Sequence, residues 1–252
     1  MGLVIAVLGL GEAGRALAAD LTAGGADVRG WDPRPDRGAR ATSAPDAVRG
    51  SDVVLSVNDA GVAVQAAREV ADELREGQVY ADLNTGGAPL KRELAGVVAP
   101  TGALFADVAL MAPVPGTGVR TPALASGPGA EAFAARLAPL GMPVEVIGPE
   151  PGAAATRKLL RSVFMKGLAA TCLESLAAAR AAGSEDWMRE EIASVLTGAD
   201  RALLERLETG SRRHAARRVA EMDDATAQLD ELGVPARVSR AARAWLEELR
   251  DA

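Results

Sequence analysis

Leu3-Val4-Ile5-Ala6-Val7-Leu8-Gly9-Leu10-Gly11-Glu12-Ala13-Gly14 stands near the start of the chain and decides how the rest is read. A short β-branched run enters a G-x-G-x-x-G turn, and an Ala-rich helical stretch from Arg15 to Ala23 follows. That strand–turn–helix order is the context in which the pattern binds dinucleotides. Gly9 allows the tight turn out of the strand, Gly11 lets the backbone approach a pyrophosphate, and Gly14 lets the helix lie close to the sheet. The free N–H groups and the positive dipole end of the helix then hold the phosphate charge. Gly9, Leu10, Gly11, Glu12, Ala13 and Gly14 are therefore candidate cofactor contacts, with the Glu12 carboxylate expected to face solvent.

One βα unit later, Ala26-Asp27-Val28-Arg29-Gly30-Trp31 reads as a second strand, ended by Asp32-Pro33. An acidic residue about 20 positions past the glycines is placed to accept hydrogen bonds from the adenosine ribose hydroxyls. Asp32 would also repel a 2′-phosphate, which favours NAD over NADP. Arg34, Arg37 and Arg40 keep NADP as the alternative, because an arginine can turn toward a 2′-phosphate if Asp32 turns away.

Composition narrows the class. At 252 residues the chain is long enough for a substantial core and one or two domains. Hydrophobic residues make up 48% and charged residues 25%, ordinary for a water-soluble globular protein; at 3% aromatics the core must be built from Ala, Val and Leu. A net charge of −6 argues against nucleic acid or a membrane surface as partner. The single cysteine, Cys172, excludes an intrachain disulfide and fits a reducing cytoplasm. No uninterrupted apolar span is evident, residues 3–8 read as a strand rather than a targeting segment, and no metal is expected.

Strand and helix signals alternate to about residue 150. Further strands are expected over 52–57, 78–83, 103–110, 122–126 and 144–147, with helices over 61–75, 89–98 and 131–140. This alternation predicts an α/β Rossmann domain, a doubly wound and mostly parallel sheet, over residues 1–150. After the breaker cluster Gly148-Pro149-Glu150-Pro151-Gly152 the texture is Ala/Leu/Arg/Glu-rich, and an all-α domain over 151–252 is expected. It opens with a long interdomain helix, Ala153 to Ala182, and continues with helices over 185–208, 211–231 and 235–249. Such a domain does not easily close a core around so long a helix. A homodimer through the helical domain is expected, the rival being a monomer with the long helix folded against the sheet.

Ligand clefts in open α/β sheets lie at the carboxyl ends of the strands. Val57-Asn58 and Asn84-Thr85 end two strands on that edge and are candidate cofactor contacts. Lys158 and Ser162, four residues apart and so on one helical face, stand near the domain junction. A lysine there can donate to a substrate carbonyl oxygen and, with a depressed pKa, shuttle the proton.

On these residues the chain resembles the β-hydroxyacid dehydrogenase and 6-phosphogluconate dehydrogenase superfamily over essentially its full length. Members begin the long helix with a small-residue stretch, then a catalytic lysine, an asparagine four residues on and an acidic residue sixteen on. Gly152, Lys158, Ser162 and Glu174 stand at those positions. The resemblance assigns Lys158 the acid/base role and puts Ser162 where the family has Asn, with shorter reach and without the amide's paired donor and acceptor. Met111-Ala112-Pro113-Val114-Pro115-Gly116-Thr117 resembles the family's D-A-P-V-S-G-G substrate loop, making Pro115, Gly116 and Thr117 substrate candidates; Pro115 and Thr117 leave its N–H nest incomplete. Asp82-Leu83-Asn84-Thr85 corresponds to the D-x-S-T strand end beside the nicotinamide.

The stretch from His214 to Met222 resembles the H-x-x-R-R-x-x-E-M segment of a phosphogluconate dehydrogenase-like C-terminal domain. It adds His214, Arg217 and Arg218 as contacts for an anionic substrate, against the plainer reading of a basic solvated helix face. Lys166, two turns beyond Lys158, is the reserve lysine. The resemblance implies an NAD(P)-dependent dehydrogenase that moves hydride between nicotinamide and a small hydroxy acid or carbonyl substrate. Two alternatives stand beside it. Imine reductases share the two-domain plan, although they use NADPH and usually lack the lysine; a non-catalytic NAD-binding protein would need no proton donor.

Overall fold

The computed structural model describes residues 2–251. Contacts divide the chain into two compact units, Met1–Arg161 and Ser162–Ala252. The division falls inside the long helix that follows the breaker cluster at residues 148–152.

The first unit is built on seven strands: β1 (Val4–Leu8), β2 (Asp27–Trp31), β3 (Val53–Ser56), β4 (Val79–Asp82), β5 (Leu104–Leu110), β6 (Ala123–Ser126) and β7 (Val144–Val146). Their order is β2-β1-β3-β4-β5-β6-β7, parallel throughout except that β5 and β6 run antiparallel. Helices α1 (Glu12–Ala23), α2 (Ala44–Val48), α3 (Ala63–Val70), α4 (Ala88–Val98) and α5 (Ala130–Leu137) connect them. This is the doubly wound plan the alternation predicts. Both faces of the sheet are covered, so successive residues of one strand enter opposite cores. Ile5 and Val7 pack with Leu17, Leu55 and Phe133, whereas Ala6 and Leu8 pack with Val54, Leu94 and Phe105. The short α2 adds to the helices expected from the sequence; Ser43 caps it by accepting the Asp46 N–H at 3.2 Å.

Strand order reverses at β1: β2 lies on one side and β3 on the other. The carboxyl ends of β1 and β3 therefore bound the crevice where such sheets bind ligands. The glycine turn sits at that point, and Val57 N–H donates to the Leu8 carbonyl at 2.8 Å, tying the two strand ends together.

The long helix α6 spans Ala153–Ala181, and α7 (Glu185–Thr197), α8 (Arg201–Arg213), α9 (Ala215–Glu231) and α10 (Arg237–Asp251) follow. The stretch 185–208, expected as one helix, is interrupted. Gly198 ends α7 and Asp200 starts α8 by accepting the Leu203 N–H at 2.7 Å, so a glycine and a capping aspartate outweigh the helical periodicity around them.

The helical unit keeps a thin core of Ala179, Ala215, Val219, Leu229 and Ala236. Much of its apolar surface is open, with Val163 75% and Leu173 70% exposed on α6. Helix α6 contains an 18-residue window of mean hydropathy 1.2, so by length and composition alone it is long and apolar enough to cross a membrane, although Lys166 interrupts the window and no uninterrupted apolar span is present in it.

Candidate functional site

The glycine turn is a cradle in which two glycines are required by the fold and one is not. Gly9 has φ +101°, and a Cβ there would stand 2.4 Å from the Val57 carbonyl oxygen. A Cβ on Gly14 would stand 1.9 Å from the Gly9 carbonyl oxygen, so only glycine lets α1 start this close to the turn. Gly11 differs: a Cβ built on it meets nothing within 4 Å. Its space opens at the amino end of α1, where Gly11 is the N-cap and no side chain caps the helix. Uncapped N–H groups beside an open volume fit a dinucleotide's pyrophosphate.

On one side of this turn, Gly9, Gly11, Trp31, Asp32, Val57 and Val62 help line a hollow of about 620 Å³. Asp32 is buried at its edge. Its Oδ2 accepts the Leu10 N–H at 2.8 Å, and its Oδ1 accepts the Arg34 N–H at 3.0 Å and Nε–H at 3.3 Å. Burial alone would raise this carboxyl. The hydrogen bonds from the Arg34 and Leu10 N–H groups and the Arg34 guanidinium outweigh it and hold the group below its ordinary value. A lowered carboxyl stabilises the fold above its unfolded pKa of about 4, and that contribution is lost as pH falls through the folded value. Oδ2 carries one protein hydrogen bond and keeps acceptor capacity.

On the other side lies a cleft of about 350 Å³, where several sequence candidates meet. Gly11, Glu12, Ala13 and Gly14 form one wall, Val57, Asn58, Asn84 and Thr85 another, and Lys158 also lines it. Glu12 is exposed, as expected, and Lys158 is half-buried. Asn84 is buried: its Nδ2 lies 2.9 Å from Asn58 Oδ1, 3.1 Å from Ser56 Oγ and 2.6 Å from Asp82 Oδ1, while its Oδ1 has no partner among the described residues. An orphaned carboxamide oxygen beside the cradle fits a ligand that brings an N–H donor, as a nicotinamide carboxamide does.

The remaining candidates lie elsewhere. Pro115, Gly116 and Thr117 are exposed, and the latter two line a separate hollow with Asp20 and Leu140. The loop is pinned there: Thr117 Oγ1 donates to the Pro113 carbonyl at 2.7 Å, and Asp20 accepts the Val119 N–H at 2.9 Å. Ala112 and Val114 of the same loop do reach the Lys158 cleft. Ser162 follows Lys158 by one turn of α6 and is half-buried, and Lys166 is exposed. His214 is exposed where α8 meets α9; Arg217 pairs with Glu221 at 3.0 Å, and Arg218 donates to Ser211 Oγ at 2.6 Å.

Sequence reasoning missed a buried charge cluster behind the cleft. Lys91 of α4 is 1% exposed, with its Nζ 2.7 Å from Asp82 Oδ2 and 3.2 Å from Asp107 Oδ1. Burial pushes the Asp82 carboxyl above its ordinary range, and the Lys91 ammonium opposes that shift. The available signal was Asp107 itself, an acid in the middle of the apolar strand Ala103 to Leu110.

A glycine cradle at the switch point of a doubly wound sheet, with a buried acid on one side and an amide and a lysine on the other, is the arrangement of an NAD(P)-binding oxidoreductase. The family profile described as the NAD binding domain of 6-phosphogluconate dehydrogenase matches residues 4–139, and a domain of unknown function, DUF1932, matches residues 179–249. The chain belongs to the family of that NAD binding domain.

Among solved structures, a conserved hypothetical protein from Sinorhizobium meliloti 1021 is 31% identical, covering 98% of this chain and 88% of its own, with a TM-score of 0.64. A conserved protein of unknown function, MTH1747, described as structurally similar to 3-hydroxyacid dehydrogenases, is 30% identical over 98% of this chain and 96% of its own, with a TM-score of 0.63. The imine reductase from Myxococcus stipitatus, solved with NADP+, is 25% identical over 97% of this chain and 93% of its own, with a TM-score of 0.83. A variant of it has been solved with NAD+. No curated protein matches the chain significantly.

Proposed function

We propose that this protein is a dehydrogenase or reductase that moves hydride between the C4 of a nicotinamide and the hydroxyl-bearing or carbonyl carbon of a small polar substrate, with Lys158 handling the proton. One observation carries the reading: Lys158 lines the same cleft as the glycine cradle, Asn84 and Thr85. A nicotinamide dinucleotide bound there would supply or accept the hydride. In the reducing direction the Lys158 ammonium hydrogen-bonds the carbonyl oxygen, stabilises its developing negative charge and gives up a proton to it. In the oxidising direction the neutral amine takes the hydroxyl proton. Gly11 and the amino end of α1 hold the pyrophosphate, Asp32 the ribose, and Asn58, Asn84 and Thr85 the nicotinamide end. Ser162, four residues on from Lys158, is the substrate-orienting partner, and Lys166, His214 and the 115–117 loop are further substrate candidates.

A second reading is imine reduction, supported by the likeness to the Myxococcus stipitatus enzyme. There the same N–H would be offered to an imine nitrogen. A panel of 3-hydroxy acids, aldonates and cyclic imines, followed at the nicotinamide absorbance with both cofactors, separates the readings. Turnover of hydroxy acids or aldonates supports the first, turnover of imines alone replaces it with the second, and no turnover by any member favours a binding protein.

NAD is the expected cofactor, because the Asp32 carboxylate faces the adenosine hollow with Arg34 held against it. Removing a charged hydrogen-bond acceptor costs about 1.5–3 kcal/mol. Asp32→Ala is thus expected to weaken NADH by about 10- to 100-fold while freeing Arg34 for a 2′-phosphate. Fluorescence titration with NADH and NADPH checks this; tighter NADPH binding by the unaltered protein overturns the assignment.

We further propose a cytoplasmic homodimer through the helical part, residues 151–252. Support comes from the open apolar side chains of α6, among them Leu160, Val163 and Phe164. Phe164→Glu is expected to give a monomer by sedimentation velocity, and an unaltered dimer refutes that interface.

A further inference from the structure

The most enclosed charges of the first unit belong to no group given a part in the reaction above. Lys91 Nζ donates to the main-chain oxygens of Asp82 at 3.0 Å and Asn84 at 2.9 Å, besides facing the two carboxylates. Asp82 and Asp107 are fully buried. Burying an ammonium and two carboxylates costs desolvation energy that an apolar trio of the same volume would avoid, so stability alone is a poor reason for the cluster.

What the cluster joins gives a better one. Through Asp82 Oδ1, which accepts the Asn84 Nδ2–H at 2.6 Å, it reaches the carboxamide on the cleft wall. Through Asp107 it reaches the start of α6: Oδ2 accepts the N–H groups of Gly152 at 3.1 Å and Ala155 at 3.0 Å, and the Ser126 hydroxyl donates to it at 3.2 Å. Ser126 Oγ in turn accepts the Ala154 N–H at 3.0 Å. Three of the N–H groups that a helix start leaves without partners are met in this way. Lys158 stands one turn further along the same helix. The contact at Gly152 is equally tight, since a Cβ there would come within 2.7 Å of Ala88 Cβ at the start of α4.

We propose that Lys91 is a positioning residue: by holding Asp82 and Asp107 together it fixes the spacing between the Asn84 carboxamide and the amino end of the helix that carries Lys158. The proposal rests on the reading of Lys158 as proton donor. Proton and hydride transfer demand reacting atoms held close to their productive separation, so a loosened joint lowers the rate more than it weakens binding.

The test uses Lys91→Met and the double variant Lys91→Met/Asp82→Asn, which removes one buried charge of each sign and keeps the chain foldable if the single change does not. Amide exchange of residues 152–155 is measured together with NADH binding. For the panel substrate turned over fastest, kcat and KM are compared. The expected result in the folded variant is at least about tenfold faster exchange at those amides, NADH affinity within about threefold of the parent, and kcat lower by about 10- to 100-fold at little-changed KM.

Unchanged exchange at 152–155 overturns the proposal whether or not a substrate is in hand. Unchanged kcat also overturns it, as does a loss confined to KM or to NADH binding. Lys158→Ala run in parallel tells the two ideas apart. If it keeps full turnover, the proton-donor reading has failed. If it loses turnover while the Lys91 variant keeps both rate and amide protection, the positioning role has failed alone.

Discussion

Lys158→Ala is expected to lower turnover by about 10²- to 10⁴-fold, the usual worth of a positioned general acid or base, while NADH binds as in the parent. The separation follows from where the side chain sits. On the proposed reading the glycine turn and Asp32 meet pyrophosphate and ribose; Asp32 lines the hollow that Lys158 does not reach, and the turn offers backbone N–H groups that need no lysine. The lysine, on the same reading, would act where charge develops on the substrate, an interaction stronger in the transition state than in the ground state, so its removal is expected to lower kcat rather than cofactor affinity. Added methylamine should restore part of the rate, since truncation to alanine leaves room for a small amine. Undiminished turnover in the alanine variant would end the assignment.

The second large effect is a contrast between two glycines three residues apart. Gly11→Ala adds its methyl to open space, so the folded protein should change in stability by no more than about 0.5 kcal/mol. NADH binding, however, should fall by about 30-fold or more, because the methyl occupies the approach to the α1 amino end, where charge-assisted hydrogen bonds are worth about 1.5–3 kcal/mol each. Gly14→Ala should damage the fold itself. Its Cβ would lie 1.9 Å from the Gly9 carbonyl oxygen, so α1 must move away from the turn. Overpacking of this kind costs about 1–3 kcal/mol, or several degrees of Tm for a chain of this size. Thermal melts and NADH titrations of both variants check the pair; equal loss of stability in the two would refute the division between a glycine kept for packing and one kept for a ligand.

The glycines, Asp32 and the strand ends were legible because each depends on local chain geometry. A turn needs its glycine, and a parallel strand announces itself as an apolar run. The long helix was legible for the same reason, from the breaker at Gly152 and the periodicity after it. Lys91 was not legible, since a lysine in a helical stretch reads as a solvated position and only the tertiary fold brings two aspartates to it. The break between α7 and α8 was hidden for a smaller reason, the helical pattern on either side of Gly198 and Asp200. Basic residues near His214 showed the opposite problem: a motif visible in the sequence is answered in part by neighbours on the helices, with Arg217 beside Glu221 and Arg218 on Ser211.

The acceptors that meet the first N–H groups of α6 come from β5 and β6, strands that precede it in the chain. During synthesis both strands leave the ribosome before the helix does. A fragment beginning at residue 151 would start its long helix with those donors bare. The helical part thus inherits its starting point from the sheet, and separating the helix from the sheet removes it.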